Sequence, residues 1–370
     1  MIKTISTRDQ IVSFLGDEPL QAASIRVTMA CNLRCKQCYA IAGKKMENEL
    51  SLEEIKKLLN DLKKLGVIRI FFTGGEPFAR QDMVEILRHA DKNGFAMYIS
   101  TNGVLVRPET INALSKLKHL RTFQISIDGI GRLHDEIRGV PGTFERATQT
   151  IKLAAKKLKN TKVAVISTLM KSNYKQMEKI LELAIEYKAN TFGIVTLYPV
   201  KRSADANDIT TKQKHKLFQK LTEIYLSQKT NLKLGLLIPP ALIPKPLQEI
   251  EYGCGYVCSF PSLLGINANG DVAPCDGLLN YKDFILGNIR EQSLENIWNH
   301  PTMLALREIT PSDITGLCKS CKHLEFCMGG CRARAYIEHG NFFASNPLCE
   351  SFNRAGLFPK SSKKNRVKTG

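Results

Sequence analysis

The sequence predicts an α/β fold: a partial (β/α)6 TIM-like barrel of parallel strands, followed by a cysteine-rich C-terminal domain. Three observations predict it. Six apolar runs suited to buried strands, at 24–30, 67–72, 95–100, 122–127, 163–169 and 192–197, alternate with helical patterns. Each unusual short segment stands directly after one of those runs, where α/β barrels carry their sites. The eleven cysteines divide into three near the amino terminus and eight beyond residue 250.

Taken in order, the elements justify the alternation. The helix at 51–65 opens on a Ser51/Glu54 capping box. Leu52, Ile55, Leu58, Leu59, Leu62 and Leu65 recur at helical spacing, and Gly66 stops it. The cysteines Cys31, Cys35 and Cys38 follow the first strand, and Thr73-Gly74-Gly75-Glu76-Pro77 the second. Ser100-Thr101-Asn102-Gly103 closes the third strand and Ser126-Ile127-Asp128-Gly129 the fourth. Six strands rather than eight imply an open barrel whose side admits a bulky substrate. With 370 residues, 43% of them hydrophobic, the chain can bury a large core, and two domains are the natural count. The expected organisation is an N-terminal segment at 1–23, the barrel at 24–235, a proline-rich linker at 236–253, the cysteine-rich domain at 254–350 and a basic tail at 351–370. The most apolar stretch, 234–247, is broken by Pro239, Pro240, Pro244 and Pro246, so it reads as a linker and cannot span a bilayer. No apolar stretch of the signal-peptide kind opens the chain. Together with ligand-like cysteine spacing, this points to a reducing, cytoplasmic setting.

Cys31-x3-Cys35-x2-Cys38 supplies three thiolates with no fourth cysteine nearby. Three thiolates hold three irons of a 4Fe–4S cube and leave the fourth iron open, the arrangement a metal site keeps when it must bind a substrate. A structural zinc site would want a fourth ligand close by, and none of the seven histidines is there.

This array resembles the signature of the radical SAM superfamily, and the resemblance implies S-adenosylmethionine (SAM) bound at the open iron and cleaved reductively to a 5′-deoxyadenosyl radical. It gives each segment a task. Gly74, Gly75 and Glu76 would approach the methionyl amino group, with Glu76 accepting from the ammonium or bracing the turn. Ser100, Asn102, Ser126 and Asp128 are candidates for the ribose hydroxyls and the methionine end. Arg138 would hold the SAM carboxylate, or else be a solvated helix charge. The sequence departs from the family at Gln37, where an aromatic residue commonly lies against the adenine.

The eight later cysteines, Cys254, Cys258, Cys275, Cys318, Cys321, Cys327, Cys331 and Cys349, resemble the SPASM extension of radical SAM enzymes. So do Gly270, Leu286-Gly287-Asn288-Ile289, Leu294-Glu295-Asn296-Ile297-Trp298 and Gly329-Gly330-Cys331-Arg332-Ala333-Arg334-Ala335-Tyr336. By resemblance, Cys254, Cys258, Cys275 and Cys331 would hold one auxiliary 4Fe–4S cluster, and Cys318, Cys321, Cys327 and Cys349 a second, for three clusters in all. A pair of zinc ribbons is the competing reading of these spacings. Asp276 stands where sulfatase-maturase-like members carry a carboxylate proposed as general base. It also suits an acceptor beside the cluster ligand, or a turn residue.

The formal charge of +18 falls to about +13 once eleven thiolates and three cluster cores of about +2 each are included. Lys152, Lys156, Lys157 and Lys159 fall on a helix, and the tail from Lys360 to Lys368 reads as a disordered, solubilising end. Basic residues without interleaved aromatics argue against a nucleic-acid partner. The remaining field favours an acidic substrate.

The expected function is abstraction of hydrogen from a peptide or protein substrate, in an oxidative or cross-linking maturation, since SPASM-bearing members mostly modify peptides or proteins. The runner-up is a tetrapyrrole side-chain decarboxylase of the haem or haem d1 pathway. The contrasting class is a zinc-stabilised basic binding module. Implied partners are an electron donor such as flavodoxin or ferredoxin and a separate leader-peptide-binding protein, because thirty residues before Cys31 are too few for such a module.

Overall fold

A computed structural model describes residues 20–198, 200, 203, 207–250 and 262–364. Seven parallel strands run in sequence order: β1 (Ala22–Arg26), β2 (Arg69–Thr73), β3 (Ala96–Thr101), β4 (Leu120–Ser126), β5 (Lys162–Leu169), β6 (Thr191–Thr196) and β7 (Lys233–Leu237). The first six are the expected ones, shifted by a few residues. The sheet stays open, with β7 at one edge.

The connecting helices are α1 (Leu52–Lys64), α2 (Met83–Lys92), α3 (Pro108–Leu114), α4 (Arg132–Arg138), α5 (Thr143–Lys157), α6 (Met177–Glu186) and α7 (Thr211–Ser227). Strand alternation decides which face they cover. Phe72, Ile99, Phe123, Val165, Phe192 and Leu234 are wholly buried in the core under the helices. The opposite set, Thr73, Ser100, Gln124, Ser126 and Thr168, remains partly exposed on the concave face. The sheet thus has one dry face for stability and one polar face for binding. In α1 the capping box forms as expected, with Glu54 N–H on Ser51 Oγ (3.2 Å) and Ser51 N–H on Glu54 Oε2 (2.8 Å). The same carboxylate takes a two-pronged contact from Arg290 (2.5 and 3.0 Å), which ties the C-terminal part to α1.

Two expectations are corrected. The proline-rich stretch at 236–253 is not a loose linker along its described length. It begins at the end of β7, and Ile238, Ala241, Leu242, Ile243 and Leu247 are buried in the core. The prolines follow the strand and shape a short packed turn and the helix Lys245–Ile250. The tail is folded as far as residue 364. Phe358 and Ser362 are buried, Lys363 forms an antiparallel bridge to Cys321, and Lys364 N–H donates to Ser320 O (2.7 Å).

The C-terminal part also extends the sheet. β8 (Leu263–Ile266) pairs parallel to the free side of β1, and β9 (Asp271–Ala273) and β10 (Gly287–Asn288) follow antiparallel. β8 therefore stands between the strand leading into Cys31 and β9, the strand leading into Cys275. Among the described residues no helix is long and apolar enough to cross a membrane.

Candidate active site

Beyond β1 the chain crosses the C-terminal end of the sheet, and Cys31, Cys35 and Cys38 stand there half-buried and free of disulfides. The loop is pinned at several points. Cys31 N–H donates to Gly43 O and Gly43 N–H to Met29 O, both at 2.9 Å. Arg34 N–H donates to Arg138 O (3.0 Å) and Lys36 N–H to Ile137 O (3.1 Å), at the end of α4. Donors face sulfur here, among them Leu33 N–H on Cys31 Sγ (3.4 Å) and Arg138 Nη1 on Cys35 Sγ (3.7 Å). Such contacts tune thiolate clusters. Burial pushes the Cys31 thiol up to about 11 and raises Cys35 against the pull of Arg138. These thiols keep their protons until a metal takes the proton's place.

The Gly74-Gly75-Glu76 turn lies directly beneath. Gly75 N–H donates to Thr28 O (2.7 Å) and Glu76 N–H to Ala30 O (2.9 Å). A Cβ on Gly74, whose φ is +141°, would stand 2.3 Å from Thr28 O, and one on Gly75 2.3 Å from Ala30 O. Only glycine lets the two backbones meet. Gly75→Ala is expected to cost about 3 kcal/mol by forcing them apart. It should also strip iron from the first cysteine set, as read by melting temperature and iron content.

Of the two roles open to Glu76, the structure displays the brace. It is 1% exposed. Oε1 accepts from Thr101 Oγ1 (2.6 Å) and Phe78 N–H (3.2 Å), and Oε2 accepts from Asn102 N–H (2.7 Å). Burial raises its pKa against these three bonds. Asn102 is held in turn near the cysteines, with Nδ2 on Asn32 Oδ1 at 2.9 Å and 4.0 Å from Cys31 Sγ.

Asp128 and Arg138 come together. Arg138 Nη2 meets Asp128 Oδ2 at 2.6 Å, and the pair is almost fully buried. Thr168 N–H donates to Asp128 Oδ1 (2.7 Å), the Gln37 amide donates to Oδ2, and His134 Nδ1 accepts from Asp128 N–H (3.1 Å). Arg138 is therefore no solvated charge. Burial opposes its charge, but Asp128 and Cys35 outweigh that and raise its pKa. Burial likewise raises Asp128, opposed first by Arg138. Desolvation lowers His134 to about 3, so it stays neutral as an acceptor. Gln37, where an aromatic was expected, is instead a buried link between the cysteine loop and Asp128. Ser100 and Ser126 sit half-buried on the concave face, and Ser100 Oγ accepts from Gln124 Nε2 (3.2 Å).

In the C-terminal part, Cys318, Cys321, Cys327 and Cys349 are all buried and line one small, apolar cavity with Pro239, Ala241 and Phe358. Burial first, and the neighbouring thiols after it, raise Cys349 well above an ordinary thiol and Cys327 to about 12. Cys275 and Cys331 pack against a second apolar cluster. Cys254 and Cys258 lie outside the described residues. Arg332, buried beside Cys331, donates to the carbonyls of Phe342 (2.7 Å) and Ala344 (2.8 Å), organising that loop. Asp276 does not stand open: it pairs with Arg26 at 2.7 Å. Arg26 has no place among the motifs read from sequence, and Arg332 enters there only within the Gly329–Tyr336 segment. Arg26 carried a usable signal, a charge inside an apolar strand, which must find a partner.

Among the described residues, no three His, Cys, Asp or Glu side chains converge as a single-ion site would require. A cube with ligands at separate corners needs no such convergence. Both thiol groupings fit it, being soft donors in water-poor surroundings.

Comparison with known proteins agrees. The profile of the radical SAM superfamily matches residues 25–184, and that of the SPASM iron–sulfur cluster-binding domain matches residues 258–322. An AdoMet-dependent heme synthase of Methanosarcina barkeri is 29% identical over 338 residues, covering 87% of this chain and 94% of the relative. The mycofactocin maturase MftC of Mycolicibacterium smegmatis is 31% identical over 332 residues, covering 87% and 79%. Among solved structures, SuiB of Streptococcus suis bound to S-adenosylmethionine superimposes with a TM-score of 0.72 at 22% identity, covering 90% of this chain and 78% of that one. The fold and its thiols define an iron–sulfur enzyme. The chain belongs to the radical SAM superfamily, with a C-terminal SPASM domain.

Proposed function

We propose that this enzyme abstracts hydrogen from a peptide or protein substrate, using SAM and three 4Fe–4S clusters. The observation that carries the reading is the stacking of the Cys31–Cys35–Cys38 loop on the Gly74-Gly75-Glu76 turn, with Arg138 against Cys35. Cys31, Cys35 and Cys38 would hold the SAM-binding cluster. Cys254, Cys258, Cys275 and Cys331 would hold one auxiliary cluster, and Cys318, Cys321, Cys327 and Cys349 the other. When bound, the first cluster supplies the electron that cleaves SAM to methionine and the 5′-deoxyadenosyl radical. Gly74 and Gly75 give the backbone close approach, and Glu76 and Asn102 fix the turn under it. Ser100, Ser126, Asp128 and Arg138 border the same end of the sheet. The open sheet edge and polar concave face suit an extended chain entering from the side. A maturase among the relatives supports that choice.

The AdoMet-dependent heme synthases among the relatives favour a second reading, decarboxylation of a tetrapyrrole side chain. Anaerobically reconstituted enzyme, given dithionite and SAM, should form 5′-deoxyadenosine. Faster formation with a precursor peptide encoded nearby supports the first reading, and faster formation with a propionate-bearing tetrapyrrole replaces it. Lys319, Lys322, Lys360, Lys363 and Lys364 are exposed on the segments that frame Cys321, which suits docking of an acidic electron donor such as flavodoxin or ferredoxin. Nine described free cysteines suit a reducing cytoplasm.

A further inference from the structure

One buried network joins the two halves of the site, and its centre is Arg26. This side chain points from β1 onto the concave face and is 1% exposed. Its Nε donates to Asp276 Oδ1 (2.7 Å), Nη2 to Asp276 O (2.8 Å) and Nη1 to Asn280 Oδ1 (3.1 Å). Asn280 Nδ2 passes the chain on to Tyr39 O (2.7 Å), and the Arg26 guanidinium lies 5.7 Å from the centre of the Tyr39 ring. The Tyr39 side chain shares hydrogen bonds with Asp276 and Thr73. Tyr39 follows Cys38 directly, and Asp276 follows Cys275 directly. Below them, a Cβ on Gly265 would come within 2.5 Å of the Cys275–Asp276 peptide, so that turn lies directly on β8.

We propose that Arg26 is a positioning residue that clasps the Cys275 turn to the Cys31–Cys38 loop, and that Asp276 is its ion-pair partner, not a general base. The inference rests on Cys275 being a ligand of an auxiliary cluster. Asp276 directs its carboxylate and its carbonyl oxygen to the same guanidinium, the fork geometry that makes arginine a rigid clamp and that lysine cannot copy. A carboxylate used to strip a proton from substrate would have to leave that clamp. Side chains that orient cluster ligands commonly change metal affinity or activity about tenfold when removed.

The test compares R26M, R26K, D276N and the double variant R26M/D276N in anaerobically reconstituted full-length enzyme. Readouts are the electron paramagnetic resonance of the reduced auxiliary cluster and the rate of 5′-deoxyadenosine formation. Each of R26M and D276N should alter the auxiliary signal and slow formation about tenfold, and the double variant should be no worse than the poorer single one. R26K should fall between wild type and R26M. If D276N alone halts turnover while the auxiliary signal stays as in wild type, and R26K and R26M behave as wild type, Asp276 is an independent base and the clasp is refuted. Should R26M not fold, R26K and D276N carry the comparison, since both keep a similar size and hydrogen-bonding groups. The wild-type iron content and auxiliary signal test the ligand assignment separately. A wild type lacking that signal overturns the assignment, and non-additive losses in melting temperature then still decide whether Arg26 and Asp276 act as one unit.

Discussion

Replacing Cys35 with alanine is expected to bring 5′-deoxyadenosine formation down to background and to remove about four of about twelve irons per chain. The size of the effect follows from the ligand count. Two thiols cannot hold a cube that three hold with one corner open, and no spare cysteine stands nearby. Cys35 also accepts from Arg138 Nη1, so its loss leaves that buried guanidinium with one fewer partner. The eight C-terminal cysteines are separate, and about two thirds of the iron absorbance should persist. Cys349→Ala provides the contrast. It should lose a similar amount of iron from the apolar cavity behind Phe358 yet retain SAM cleavage while losing product. Equal 5′-deoxyadenosine from C35A and wild type would remove the basis for the first cluster.

Much of the fold was legible because its signals are local. The six barrel strands and the α1 capping box lie in continuous runs of sequence, and their motifs follow the strands that carry them. What was misread depends on distant partners. β7, with its apolar residues Leu234 and Leu236, runs straight into the proline-broken stretch that begins at Pro239. Only its pairing with β6 and its packing under α7 separate a strand from a linker. The lysines of the tail suggested solvation, yet Phe358 and Ser362 anchor that segment against the second cysteine set. The pairing of β8 with β1 is invisible in any window of sequence, because it links residues about 240 apart.

The candidate site divides in the same way. The cysteines and Gly74-Gly75 announce themselves by spacing and by residue type. The partners that hold them do not. Asp128 and Arg138 were each placed at the site as cofactor contacts, while the structure first gives each to the other. Gln37 looked like a departure from a family pattern, but its amide reaches Asp128. These polar residues are buried by the fold and need partners for that reason, which turns isolated motif residues into one connected floor beneath the cysteine loop.

That floor sets the second large effect. Asp128→Ala should destabilise the enzyme by about 3–5 kcal/mol, since it leaves Arg138 charged, buried and without its carboxylate. For a chain of this size that corresponds to a fall in melting temperature on the order of 10 °C. The loss should also reach the cluster. Arg34 and Lys36 hang their N–H groups on the carbonyls of Arg138 and Ile137, so a displaced α4 end loosens the loop holding Cys35. Asp128→Asn should cost less, because the amide oxygen can still accept from Thr168 N–H. Adding Arg138→Met to Asp128→Ala should recover part of the stability, because it removes the orphaned charge rather than a further bond. Melting temperatures of Asp128→Ala, Arg138→Met and the double variant measure the coupling directly. A double variant whose loss relative to wild type equals the summed losses of Asp128→Ala and Arg138→Met would mean that the two side chains act independently. The contact at 2.6 Å would then be an accident of proximity rather than the support of the Cys35 loop.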